Sequence, residues 1–128
     1  MVFVILAKID HTIYKSNAYS SVFRRYKRDA FPDPSNCRLG QWYHGAAKEK
    51  FGNCKSYQAM DEPHRHIHRL VDANIAYIEP TDRVVENKDE IIANFNEMEK
   101  HSAQMYGLME AMLEQAEKRM QEEGTENC

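Results

Sequence analysis

The chain has no surplus of positive charge. Seventeen Lys and Arg stand against 20 Asp and Glu, for a net charge of -3 in 128 residues. That leaves no electrostatic footprint for nucleic acid. Glycine is scarce, with five residues, and none gathers into a phosphate-cradling loop. There is no tandem repeat. Cysteine is also scarce, and its count of three is odd. An odd count fits no closed disulfide framework and predicts reduced thiols in a cytoplasmic setting. Long hydrophobic runs are missing too. The opening "MVFVILAKIDH" has no basic n-region and no cleavage site, and Lys8 and Asp10 interrupt it. It is not expected to be a signal peptide, and it falls short of the roughly 20 apolar residues of a spanning helix. No membrane insertion is expected. The apolar run also starts with no N-cap residue before it, which predicts that Met1 begins a piece cut from a longer chain.

What is present is helical. A hydrophobic share of 42% is enough for one core, and the length suits one domain. Four helical stretches are expected. The first runs from Val2 to about Arg28 and is stopped by Pro32 and Pro34. The second starts near Cys37, capped by Ser35 or Asn36, and runs to Gly45. A short connector, "FGNCKSYQAMDE", follows. The third starts near Pro63, with Asp61 or Glu62 before it, and ends at Pro80. The fourth opens at Asn87–Glu90 with a capping-box variant, runs to about Gln121 and closes at Gly124. The fold class is all-α, a four-helix bundle over residues 1–123, with 124–128 as a disordered tail.

Helical faces follow from 100° per residue. Ile91, Phe95, Met98, Ser102, Met105, Met109, Met112 and Ala116 form one stripe, a bundle seam. Core packing accounts for its methionines. The first helix carries two stripes. Val4, Ala7, His11, Tyr14, Ala18 and Val22 share one face. Val2, Leu6, Ile9, Ile13 and Phe23 share nearly the opposite one. Two stripes imply two partners: the domain's own core, and either a second copy or an upstream segment.

His64 and His68 lie one turn apart, on the face of Ile67, Val71, Ile75 and Ile78. His66 points away, between Arg65 and Arg69. His11 sits within an apolar stripe, so three imidazoles face inward. A lone buried histidine is commonly a satisfied core residue; a pair aimed inward fits that poorly. Cys37 opens a helix, where free amides favour its thiolate. Gly40, one turn on, lets another helix come close. One zinc ion accepts imidazole nitrogen and thiolate sulfur in a tetrahedron and offsets the burial of these groups. His44, on the Cys37 face, is a rival ligand. Cys54 and Cys128 are expected to be ordinary thiols.

These residues resemble the chemoreceptor zinc-binding (CZB) domain. The resemblance runs through "KIDHTIYK", "CRLGQWYHGAAKEKF" and "PHRHIH", over roughly residues 1–80. Its pattern is a His on the first helix, Cys-x-x-Gly-x-Trp, then Pro-His-x-x-x-His. Those elements fall on His11, on Cys37 through Trp42, and on Pro63 through His68. The resemblance implies a cytoplasmic, all-helical module attached to a methyl-accepting chemotaxis receptor or a diguanylate cyclase. It also implies dimers and zinc held by His11, Cys37, His64 and His68, with zinc or oxidants as inputs; Cys37, the cysteine that has both a metal and a helix start to hold it as thiolate, is the expected redox switch. A homodimer would use Val2, Leu6, Ile9, Ile13 and Phe23, and the parent signalling chain is the other partner.

Competing readings are a metalloenzyme, a di-iron protein and a structural zinc staple. Four protein donors close a zinc site to substrate. There is no Ser-His-Asp order and no His-Glu-x-x-His. A di-iron bundle needs Glu-x-x-His pairs, and none is present. Asp61 and His64 have that spacing, but Asp61 is expected to precede the helix; Glu97 and His101 are four apart, on a solvent edge. A staple shares the ligand set and differs from a sensor in unfolding without metal. The expectation is a regulatory module, not an enzyme.

Overall fold

A computed structural model describes residues 2–27 and 30–124 of the chain. All regular structure among them is helical: α1 (Val2–Arg24), α2 (Arg38–His44), α3 (Ala46–Phe51), α4 (Lys55–Ala59), α5 (Asp61–Ile75) and α6 (Lys88–Glu123). No helix among these residues is long and apolar enough to cross a membrane. The connector from Phe51 holds one short helix, α4, and a further short helix, α3, lies just before it, between Gly45 and Gly52. The expected tail beyond Gly124 lies outside the described residues.

Helix ends depart from the sequence expectation in instructive ways. Helix α1 stops at Arg24, ahead of the prolines; Arg28 lies outside the described residues. The stop is a Schellman turn. Tyr26 N–H donates to Ser21 O at 3.0 Å and Arg25 N–H to Val22 O at 3.2 Å, while Arg25 takes φ +57°. That left-handed position normally belongs to glycine, so no sequence signal marks it. The N-cap of α2 is Cys37 itself, not Ser35 or Asn36; its sulfur accepts from Gly40 N–H. Helix α5 already includes Asp61 and ends at Ile75, short of Pro80. Asn87 is the N-cap of α6, but its side chain makes no capping bond; Nδ2 instead donates to Arg83 O at 2.8 Å. Gly124 closes α6 with φ 69°, as expected.

The core forms where the stripes meet. Helix α5 packs along α6, α4 also meets α6, and α1 lies against α2 and α5. Every residue of the α6 stripe from Ile91 to Ala116 is buried, and Met98, Met105, Met109 and Met112 are fully so. Cutting one such methionine to Ala would cost about 2–5 kcal/mol. Asn74 is buried among them. Its Nδ2 donates to Ile91 O at 3.2 Å, and its Oδ1 accepts from Asn94 Nδ2 at 2.9 Å. Those bonds offset the cost of burying an amide.

Helix α1 runs antiparallel to α6 and is tied to it by polar side chains. Lys8 Nζ pairs with Glu110 at 3.1 Å, and Lys15 Nζ with Glu99 at 2.8 Å. Lys15 also donates to the buried Ser102 hydroxyl at 2.8 Å. Its inner stripe, Val4 through Val22, is buried. The opposite stripe is open to solvent, from 49% exposure at Leu6 to 89% at Phe23. The side chain of Val2, a further member of that stripe, lies outside what is described.

Candidate metal centre

Three elements bring four donors to one point. The inner face of α1 contributes His11. The start of α2 contributes Cys37. One face of α5 contributes His64 and His68, spaced by one turn. All four are buried, and one donor atom of each lies within 4.8 Å of the others. His44, the rival, is exposed and outside this cluster. His66 is partly exposed on the far side of α5, where its ring stacks on His101 at 4.7 Å. Asp61 is in the helix but pairs with Arg65 at 3.1 Å, so it offers no carboxylate to the cluster.

The distances suit a small tetrahedral cation. His11 Nε2 lies 3.3 Å from His68 Nε2, which lies 3.1 Å from His64 Nε2. Cys37 Sγ is 3.3 Å from His64 Nε2. A tetrahedron with metal–nitrogen bonds of roughly 2.0–2.1 Å has edges of about 3.3–3.4 Å. His68 Nδ1 sits 3.0 Å from Pro32 O. A carbonyl only accepts, so Nδ1 carries the proton and Nε2 turns a lone pair to the centre. His11 Nδ1 is buried with no hydrogen-bond partner among the described residues.

Burial sets the protonation of the metal-free site. Desolvation, followed by repulsion from His64, His68 and Lys15, lowers His11 to a pKa of about 2. Desolvation and the neighbouring His68 and His44 lower His64 to about 3. Desolvation lowers His68 to about 4, against the opposing pull of the Pro32 carbonyl and Asp33. All three are neutral near pH 7, which is the state that binds metal. Cys37 corrects the sequence expectation. Burial pushes its thiol up, and the amides of Gly40 and Leu39 only partly counter this. A helix start alone therefore does not make it a thiolate; a cation would.

Two local devices aim the Cys37 sulfur. Gly40 N–H donates to Sγ at 3.2 Å. A Cβ on Gly40 would lie 1.8 Å from Pro34 O. The close approach foreseen at this glycine is thus made by the chain's own Pro34–Ser35 backbone, not by another helix. Farther along α2, Tyr43 and Tyr57 stack at 4.3 Å and exchange hydroxyl-to-carbonyl bonds of 2.9 and 2.7 Å. That pairing locks a seven-residue helix, too short to hold itself, against α4.

Sequence reasoning missed Tyr14 and Pro32 as parts of the site. Tyr14 stacks on His68 at 4.3 Å, and Phe31 meets Tyr14 edge-on at 5.8 Å. A usable signal existed for Tyr14, one turn after His11 on the same stripe; none marked the Pro32 carbonyl. Cys54 also departs from expectation: it is buried and disulfide-bonded rather than an ordinary thiol. Cys128 lies outside the described residues.

Residues 11–75 match the chemoreceptor zinc-binding domain. The matched segment contains all four clustered residues. No curated protein and no solved structure matches the chain. The family's metal is zinc, and one sulfur with three imidazole nitrogens at these spacings fits it.

Proposed function

Since the chain belongs to the chemoreceptor zinc-binding domain family, we propose that it is a regulatory zinc-binding module of a bacterial signalling protein, a chemoreceptor in the first instance. In this reading His11, Cys37, His64 and His68 are the ligands, and residues 1–123 form the module as a four-helix bundle whose second arm is segmented into α2–α4. The observation that carries it is the convergence of four buried donor atoms from α1, α2 and α5 within 4.8 Å. When bound, zinc offsets the cost of gathering a sulfur and three nitrogen lone pairs in a buried place.

A site closed by four protein donors leaves no position for substrate, which supports regulation over catalysis. The setting is cytoplasmic, with output through the attached signalling chain. A homodimer through Leu6, Ile9, Ile13 and Phe23 gives the exposed stripe of α1 a partner. Cys37 is the candidate redox switch: loss of its bond to metal frees the Cys37–Trp42 segment to move against α5.

Metal analysis of the purified chain, before and after chelation, tests the reading. About one zinc per chain is expected. Circular dichroism after chelation separates the sensor from the alternative, a structural staple. A sensor keeps most of its helix, whereas a staple unfolds. A chain that binds no zinc at stoichiometric supply defeats both.

A further inference from the structure

A cleft of about 390 Å³ opens beside the metal centre, between α1 and the segment 30–39. Asp10, His11, Asn17, Asn36, Cys37 and Arg38 line it. Only two of the four clustered residues are among its walls, His11 from α1 and Cys37 from α2. His64 and His68 are not. Their own stripe on α5 is sealed, since Ile67 and Val71 are fully buried. His68 is covered further by the Tyr14 ring and tied to Pro32. Among the described residues, this cleft therefore reaches the centre along one edge, the line from His11 to Cys37.

The cleft suits a hydrated cation in size and chemistry. At about 30 Å³ per water, an ion with six waters needs on the order of 200 Å³. Asp10 supplies a carboxylate, and Asn17 and Asn36 supply amide oxygens, the hard donors that replace water on a divalent ion. Arg38, 80% exposed at its side chain, reaches from α2 to Asp10 on α1 at 3.7 Å. An exposed pair of that length contributes roughly 0–1 kcal/mol, so it yields readily to a competing cation.

We propose that this cleft is the exchange port of the metal centre, where a hydrated divalent cation is received by Asp10 and passed to the His11–Cys37 edge, and by which it leaves. The proposal rests on the four residues being zinc ligands. It makes exchange rate separable from affinity. The mouth of the cleft, at Asp10, Asn17 and Arg38, is outside the ligand set, so an obstruction there raises the barrier in both directions equally.

Stopped-flow zinc uptake, and release into excess EDTA, test this on the 128-residue chain. Asn17→Trp fills the mouth of the cleft, Arg38→Ala frees Asp10, and Ile92→Trp puts the same bulk on an exposed site of α6. Asn17→Trp is expected to slow uptake and release alike by roughly tenfold, an added barrier of about 1.4 kcal/mol, with Kd unchanged. Arg38→Ala, a surface change that leaves the core alone, is expected to speed both about twofold, and Ile92→Trp to change neither. Rates for Asn17→Trp and Arg38→Ala equal to wild type, in chains that still hold one zinc, overturn the port but keep the ligand assignment. A changed Kd with only one rate altered overturns it as well, because the substitution then acts on the ligands. Absence of zinc from the wild-type chain overturns the ligand assignment itself, and the port with it.

Discussion

Gly40 N–H donates to Cys37 Sγ at 3.2 Å, and the missing side chain of the same glycine admits the Pro34 carbonyl. One residue thus aims the sulfur and seats the loop that covers His68. A methyl at Gly40 would meet that carbonyl at 1.8 Å, and backbone cannot yield as a flexible side chain does. Gly40→Ala is expected to destabilise the chain by about 1–3 kcal/mol and to weaken zinc binding. Denaturant melts with and without zinc check this; wild-type values for both would refute the fit described here.

The outer and middle histidines of His64-Arg65-His66-Ile67-His68 separate ligand from bystander in this reading. His68→Ala removes a donor and is expected to lower zinc affinity by more than the roughly 10–100-fold that losing an outer contact costs. His66→Ala removes a surface stack on His101 and contacts with Glu62 and Arg69, none of them at the centre, and is expected to leave zinc content unchanged. Competition titrations against a chelating dye measure both. Equal losses would sink the assignment.

The metal-free fold should weaken in acid. His11, His64 and His68 have folded-state pKa values of about 2, 3 and 4, all below the ordinary 6.5. Between those limits the unfolded chain binds more protons than the folded one, so stability rises with pH. It is full above about 6.5 and falls as pH drops towards 4 and below. Urea melts of the chelated chain at pH 7.5 and pH 5 check the sign. Flat or rising stability on acidification would show that the three rings are not buried as neutral bases.

The exposed stripe of α1 predicts association. Burying apolar surface contributes roughly 25 cal/mol per Å², and Leu6 and Ile9 are each about half exposed in the single chain. Leu6→Asp with Ile9→Asp should give monomers by light scattering where the wild type gives dimers. A wild type that stays monomeric at high concentration removes the dimer.

Oxidation is expected to release zinc through Cys37. A peroxide that transfers one oxygen to this sulfur leaves a sulfenic acid and water, and three histidines then hold the metal less tightly. Zinc release against peroxide dose, with mass spectrometry to assign the modified cysteine, reads the step. Zinc that stays bound while free model thiols are fully oxidised would make zinc level, not oxidant, the better candidate input.

Much of this was legible without coordinates, because it depends on period alone. A repeat of 100° per residue put His64 and His68 on one face, placed His11 among Val4, Ala7, Tyr14 and Ala18, and drew the α6 seam from Ile91 to Ala116; all of these residues are buried. The same arithmetic left the second stripe of α1 facing outward. Local rules failed where long-range contact overrode them. Arg25 ends α1 in a left-handed turn that no glycine announces. Cys37 caps its own helix, and its burial outweighs the amides that would lower its pKa. Period says which residues share a face, but not which faces meet, at what distance, or what backbone lies between. Those were decided by packing: the 3.1–3.3 Å spacing of the donors, the Pro32 carbonyl on His68, the Tyr43–Tyr57 exchange, and a cleft that reaches two of the four clustered residues. Each needs segments far apart in sequence to arrive together, and only the folded chain supplies that coincidence.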